Sequence, residues 1–179
     1  MIEPDHAVIS VLIGLVSTED RSRILETLDA LANKQGAVAC EVILVDRRRD
    51  NVSEEIARRY PKVRLIPCPA HTPLPEMRTL ALDASRADIV AVTEDHCVPD
   101  PDWLGQILIG LRENDVVAAG GCVVNGVADT AFDWATFLCE YSFFYPPVTE
   151  GPSDILPGMN VAYRRSSLAR IPRELLTTG

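Results

Sequence analysis

An α/β domain on a mostly parallel sheet, with helices on both faces, is what this sequence predicts, and three observations carry the prediction. Short apolar runs rich in β-branched residues alternate with amphipathic helical stretches, and Gly, Pro or Asp closes them. Four such strand–helix units precede a fifth apolar run, the order that builds parallel sheets. The 179 residues can bury one sizeable core, and 47% hydrophobic with 24% charged residues is ordinary for a globular α/β chain.

Ala7 to Ile13 reads as a buried strand bounded by Gly14. From about Glu19 to Gln35 the period becomes helical: Ile24, Leu25, Leu28, Leu31 and Ala32 share one face, and Gly36 stops the helix. Glu41 to Val45 predicts a second buried strand ending at Asp46. Ser53 to Tyr60 predicts a short helix halted by Pro61, and Val63 to Ile66 a third strand. Four prolines from Pro67 to Pro75 dictate an irregular loop. Glu76 to Ser85 predicts a helix with Met77, Leu80 and Ala81 inward, and Asp88 to Thr93 a fourth strand. Asp100 is expected to cap a helix from Pro101 to Arg112, which buries Trp103, Leu104, Ile107, Leu108 and Leu111. Val116 to Val124 predicts a fifth strand containing Gly120 and Gly121. Beyond Gly126 the alternation stops: an aromatic-rich helix is expected over Asp129 to Phe144, then a loop with four prolines from Tyr145 to Pro157. Leu156 to Tyr163 is expected to be extended and Ser166 to Arg170 helical.

A net charge of −9 excludes the basic face of a nucleic-acid-binding module. Cys40, Cys68, Cys97, Cys122 and Cys139 are odd in number, widely spaced and without a CxxC pair. They read as reduced thiols rather than a disulfide or zinc framework, which points to the cytoplasm. No apolar run approaches the length of a membrane span, and the acidic stretch Met1 to Ala7 is unlike a signal peptide.

Open parallel sheets bind ligands beyond the carboxyl ends of their strands. Asp46 follows the second strand there, and Glu94, Asp95 and His96 follow the fourth. Two acidic positions on one edge, from separate segments, suit a single ligand. A carboxylate accepts from a ribose or a base imide, and two carboxylates with an imidazole suit Mg²⁺ or Mn²⁺, the imidazole favouring Mn²⁺. Such an ion acts as a Lewis acid, bridging diphosphate oxygens and offsetting the charge of a departing nucleotide in an acidic protein. Taken singly, these residues have plainer roles. Asp46 is a strand-terminal turn residue, Glu94 to His96 a solvated turn, and Arg47 to Arg49 a solvated loop from which one Arg could touch phosphate. His6 and His71 read as surface residues. Trp134, Phe137, Tyr141, Phe143, Phe144 and Tyr145 read first as core, and otherwise as an acceptor cleft or a membrane-facing patch.

In order and spacing, five segments from Val8 to Leu168 resemble glycosyltransferase family 2, enzymes of the Rossmann-like GT-A fold that use nucleotide-diphosphate sugars. Val8 to Ile13 is similar to that family's first strand, with Gly14 where proline is usual, and Glu41 to Asp46 to its second strand with the uracil-contacting Asp. Arg47 and Arg49 stand where the family has a second Asp and a Ser. Arg78 matches an Arg-Asn helix start, with Thr79 for the Asn. Thr93 to Leu104 resembles the acidic metal motif, and Pro157 to Arg165 the Gly-Asn-x-Ala-x-Arg-Arg segment of the acceptor side. The resemblance implies an inverting, metal-dependent glycosyltransferase in which Asp46, Arg78, Glu94 and Asp95 bind the nucleotide sugar. It further implies that Asp95 and His96 hold Mn²⁺ or Mg²⁺, and that Gly158, Asn160, Arg164 and Arg165 face the acceptor.

One domain over residues 1–179 is expected, with a donor-binding part at 1–125 and an incomplete acceptor-side part at 126–179. Inversion needs a base to take the acceptor hydroxyl's proton. The family places it shortly after the Arg-Arg segment, so it is expected beyond Gly179; Glu174 fits a helical surface better. A chain lacking the later helices would leave apolar surface near Ala131 to Tyr145 uncovered, which predicts self-association. The expected partners are a nucleotide-sugar donor, a carbohydrate or lipid-linked acceptor, and peripheral contact with the inner face of a membrane. Two other readings stay open: a non-catalytic nucleotide-sugar-binding module, and a nucleotidyltransferase. The second is disfavoured by the stretch Gly14 to Asp20, which holds one Gly and two acids rather than a Gly-rich basic loop.

Overall fold

The computed structural model describes residues 7–17, 21–48 and 50–177. Expectations for Met1 to His6, for the helix start at Glu19 and for Arg49 lie outside the described residues. The predicted α/β architecture is the one that forms.

Four parallel strands make the centre. β1 (Ile9–Leu15) is buried at every residue, and β2 (Cys40–Asp46) at its last four. β3 (Arg64–Pro67) and β4 (Ile89–Glu94) complete the parallel set. Strand alternation divides the core between two faces. On one face Ile9, Val11, Ile13 and Leu15 pack with Ile24, Leu28 and Leu31 of α1 (Arg21–Asn33), and with Val52 and Ile56 of α2 (Val52–Arg59). Leu104 and Ile107 of α4 (Trp103–Gly110) join that cluster. On the other face Leu12, Ile43, Val45 and Val90 meet Met77 and Ala81 of α3 (Leu74–Ala84) and Leu168 of α6 (Arg165–Leu168). Each fully buried Leu or Ile stabilises the fold by about 1.5–3 kcal/mol. α3 begins two residues before the predicted start, with Pro75 in its first turn, where a missing N–H costs nothing.

Beyond β4 the mostly parallel sheet gains an antiparallel strand that the strand–helix alternation did not announce. The strand sequence is β3-β2-β1-β4-β6-β5, and β6 (Val161–Arg164) lies antiparallel to both β4 and β5 (Ala118–Gly120). The sheet is therefore continuous across the expected division at residue 125. β5 is also shorter than predicted, because the chain beyond it turns away: Val123 N–H donates to Phe144 O at 2.9 Å rather than to a strand neighbour.

The start of α4 corrects a second expectation. Asp100 does not cap it, and Asp102 takes a left-handed φ of 66° before the helix begins at Trp103. Gln35, 4% exposed, does the capping: its Nε2 donates to Asp100 O and its Oε1 accepts from Leu104 N–H, both at 3.0 Å. One buried amide thus joins the end of α1 to the start of α4. α5 (Ala131–Tyr141) carries a reciprocal capping box between Thr130 and Asp133. Among the described residues, a 3₁₀ turn (Ser142–Phe144) and α7 (Arg173–Thr177) complete the elements. No helix among the described residues is long and apolar enough to cross a membrane.

Candidate functional site

Sheet register places the predicted acidic residues on one edge. Leu15 of β1 lies opposite Asp46 of β2, and Gly14 lies opposite Glu94 of β4. Asp46 and Glu94 therefore flank the end of β1, two strand spacings or roughly 10 Å apart. Arg78 reaches this edge from α3, and its Nη2 donates to Glu94 Oε1 at 3.0 Å. Asp46, Arg78, Glu94, Asp95 and His96 thus gather at one edge of the sheet.

There the two aspartates hold the backbone. Asp46 is 5% exposed, accepts Arg48 N–H through Oδ1 at 2.7 Å, and accepts the Ser53 hydroxyl through Oδ2. Asp95 is 1% exposed; its Oδ2 accepts the N–H groups of Val16 and Ser17 at 2.7 Å, and its Oδ1 accepts the Ser17 hydroxyl at 2.6 Å. The His96 ring joins through Nδ1, 3.3 Å from the same Oδ1. Burial pushes the Asp95 carboxyl up, but the hydrogen bonds from His96, Ser17 and Val16 outweigh it and hold the group below the usual carboxylate range. With four donors around it, the Asp95 carboxylate has little capacity left for an ion.

Of the two carboxylates, Glu94 rather than the buried Asp95 lies beside the outer nitrogen of the His96 ring. Its Oε2 stands 3.6 Å from His96 Nε2. Glu94, His96 and Cys97 each offer a ligand atom, and these atoms lie within 4.8 Å of one another. The carboxylate and imidazole suit Mn²⁺, whereas a thiol suits softer ions. The Asp95 hydrogen bond raises the His96 pKa, while burial and the neighbouring Glu94 push the Cys97 thiol up to about 12. Glu94 and His96 therefore fit a hard divalent ion, with the softer Cys97 sulfur beside them.

The predicted acceptor-side residues separate. Asn160 is a clamp: it accepts the Trp103 indole N–H through Oδ1 at 2.7 Å and donates through Nδ2 to Cys122 O at 2.9 Å. Gly158 borders a cavity of about 230 Å³ that also touches Arg78 and Tyr163. Arg164 and Arg165 lie at the opposite end of β4, which corrects their expected place. Arg164 pairs in register with Ile89, and its guanidinium donates to the carbonyls of Leu111, Glu113 and Val116. Arg165 donates to Ala87 O at 2.7 Å and to Ser85 Oγ at 2.6 Å. Both are consumed in closing the amino end of the sheet.

Sequence reasoning missed Ser17, Ser53 and Cys97. Ser17 was legible only as the first hydroxyl after β1; nothing local says that a carboxylate 78 residues away would claim it. Beside His96 and Cys97, a further cavity of about 520 Å³ opens between α4, the segment after β5, and α5.

A mostly parallel sheet with carboxylates gathered at its carboxyl edge is a doubly wound α/β arrangement, a class that binds ligands at that edge. The chain belongs to glycosyl transferase family 2, whose family model matches residues 14–171. Among solved structures it is similar to the mannosyltransferase PcManGT from Pyrobaculum calidifontis in complex with GDP-Man and Mn²⁺, at TM-score 0.64 and 20% identity, over 94% of this chain and 48% of that one. It is similar to S. aureus TarS 1-349 at TM-score 0.64 and 21% identity, over 90% of this chain and 48% of that one. These likenesses establish the GT-A fold. The chain spans just under half the length of each structure. Among curated proteins, none matches it.

Proposed function

We propose that this chain supplies the donor site of an inverting glycosyltransferase, which transfers a sugar from a nucleotide-diphosphate donor with help from Mn²⁺ or Mg²⁺. Residues 1–125 hold the donor and residues 126–179 begin the acceptor side. The observation that carries this reading is the convergence of Asp46, Arg78, Glu94 and His96 on one edge of the sheet, Asp46 and Glu94 flanking the end of β1.

Glu94 and His96 would hold the ion, which when bound supplies positive charge for the diphosphate leaving group. Asp95 keeps the β1 loop in place beneath them and positions the His96 ring. Asp46 has lone pairs beyond the two contacts it makes, and these face the nucleoside in this reading. Arg48 adds support: its guanidinium pairs with Asp50 through Nη2 at 2.7 Å, while its Nη1 is a buried donor with no protein partner, two residues past Asp46. Such a donor is costly unless an acceptor arrives. Arg78, paired with Glu94, holds that carboxylate toward His96.

Calorimetry with a panel of UDP- and GDP-sugars, with and without Mn²⁺, tests the reading. Donor binding that needs the ion, and that Glu94→Gln weakens at least tenfold, is the expected result. Absence of nucleotide binding under any of these conditions would overturn it. Binding without turnover in the full-length protein would favour a non-catalytic module instead.

A further inference from the structure

The cavity of about 520 Å³ beside His96 is within the usual size for a small-molecule site. Its walls are mainly apolar, formed by Val98, Trp103, Val124, Phe132, Phe137 and Met159. Phe132 is 78% exposed and Val124 58% exposed. The polar groups that border it are largely engaged within the protein. Asn160 holds Trp103 and Cys122, and Asp133 accepts from Thr130. Asn125 is different: its Oδ1 accepts Val127 N–H at 3.1 Å, which fixes the amide orientation, and its Nδ2 is a buried donor with no protein partner. Charge narrows the choice further. Asp100 and Asp133 line the cavity against two basic groups, Arg23 and His96, and the chain carries a net −9. The lining therefore offers an anionic ligand no excess of positive charge.

We propose that this cavity takes the acceptor, and that the acceptor is an uncharged hydroxyl compound with an apolar body, an alkyl chain or an aromatic ring. The inference rests on the nucleotide-sugar reading and deepens it by naming the acceptor class. The apolar body lies along Val124, Phe132 and Met159, an oxygen of the ligand accepts from Asn125 Nδ2, and its hydroxyl end faces His96, where the donor's sugar would arrive. A plain carbohydrate does not suit these walls, because its many hydroxyls would lose water without finding partners.

The test uses octyl β-D-glucoside below its micelle-forming concentration, with glucose as the polar control, followed by the fluorescence of the chain's tryptophans. Saturable binding of the alkyl glucoside is expected, with none of glucose. Val124→Asp is expected to weaken that binding at least tenfold while UDP- or GDP-sugar affinity in Mn²⁺ stays within twofold. Asn125→Leu is expected to weaken it severalfold. Leu175→Asp, at an exposed site on α7, is expected to leave it unchanged, and circular dichroism checks that each variant is folded. Equal binding to wild type and Val124→Asp, glucose binding as strong as alkyl glucoside binding, or no saturable binding by the full-length protein would each overturn the proposal. Loss of nucleotide binding alone separates the two readings: it removes the donor site, and with it the acceptor role, while sensitivity to Val124→Asp would still define the cavity's ligand class.

Discussion

The hydroxyl of Ser17 and the carboxylate of Asp95 meet at 2.6 Å, and the Ser17 N–H reaches the other carboxylate oxygen at 2.7 Å. Through this pair the segment leaving β1 is fastened to the end of β4, at the carboxyl edge of the sheet. Asp95→Ala would leave the half-buried Val16 and Ser17 N–H groups without acceptors. The expected loss is about 2–3 kcal/mol of unfolding free energy, and Ser17→Ala, which removes only the hydroxyl, about 1 kcal/mol. Urea denaturation measures both, and an Asp95→Ala variant as stable as wild type would contradict the anchoring role.

Glu94 and His96 are assigned the opposite character. Glu94→Gln and His96→Ala should change stability by no more than about 0.5 kcal/mol, since neither side chain is buried. Mn²⁺ affinity should nevertheless fall roughly tenfold or more, read directly from the spin-resonance signal of free Mn²⁺. The reverse pattern, with Asp95→Asn abolishing ion binding and Glu94→Gln leaving it intact, would restore the ligand pair expected from the sequence.

The different surroundings of Asp95 and Glu94 mark the limit of what was legible in the chain. The parallel centre could be read because β1, β2 and β4 are continuous apolar runs and α1 keeps a helical period, both local signals. The carboxylate-bearing edge could be read because it must follow those runs. Three things could not. β6 wins its place between β4 and β5 through pairings with Ile89 to Val92, far away in sequence. Glu94, Asp95 and His96 are adjacent in sequence but point in different directions as the chain leaves the strand, so no spacing rule tells which carboxylate turns inward. Arg164 and Arg165 sit in the matching motif, yet β6 runs antiparallel and carries its last residues to the amino end of β4.

The Gly120-Gly121 pair has a packing reason that can be tested. A Cβ on Gly120 would lie 2.9 Å from Asn160 O and 3.0 Å from Leu156 Cδ2, and one on Gly121 3.1 Å from Asn160 Nδ2. Gly120→Ala must push β5 away from the turn that carries Asn160, at a cost of about 1–3 kcal/mol. Gly126→Ala meets nothing within 4 Å and serves as the neutral control. Thermal denaturation of the two variants should separate them clearly; equal melting temperatures would show that the clamp has slack.

The docking of α7 should depend on acid pH. Arg173 pairs with Asp83 of α3, Nη1 to Oδ1 at 2.9 Å and Nη2 to Oδ2, and Thr79 Oγ1 donates to Leu176 O at 3.1 Å. The Arg173 hydrogen bond is the largest influence on the Asp83 carboxyl and holds it below its ordinary value of 3.8. A carboxyl whose pKa is lower folded than unfolded contributes stability that is fully present above the unfolded value and is lost as pH falls through the folded one. Hydrogen exchange in α7 should therefore be unchanged between pH 7 and 5, after correction for intrinsic rates, and should quicken relative to β1 below about pH 4. Asp83→Asn should show the quickened exchange at neutral pH and lose the acid dependence. Because the pair is largely exposed, high salt should weaken the effect. Exchange in α7 that stays slow in Asp83→Asn would assign the docking to Thr79 and the apolar contacts instead.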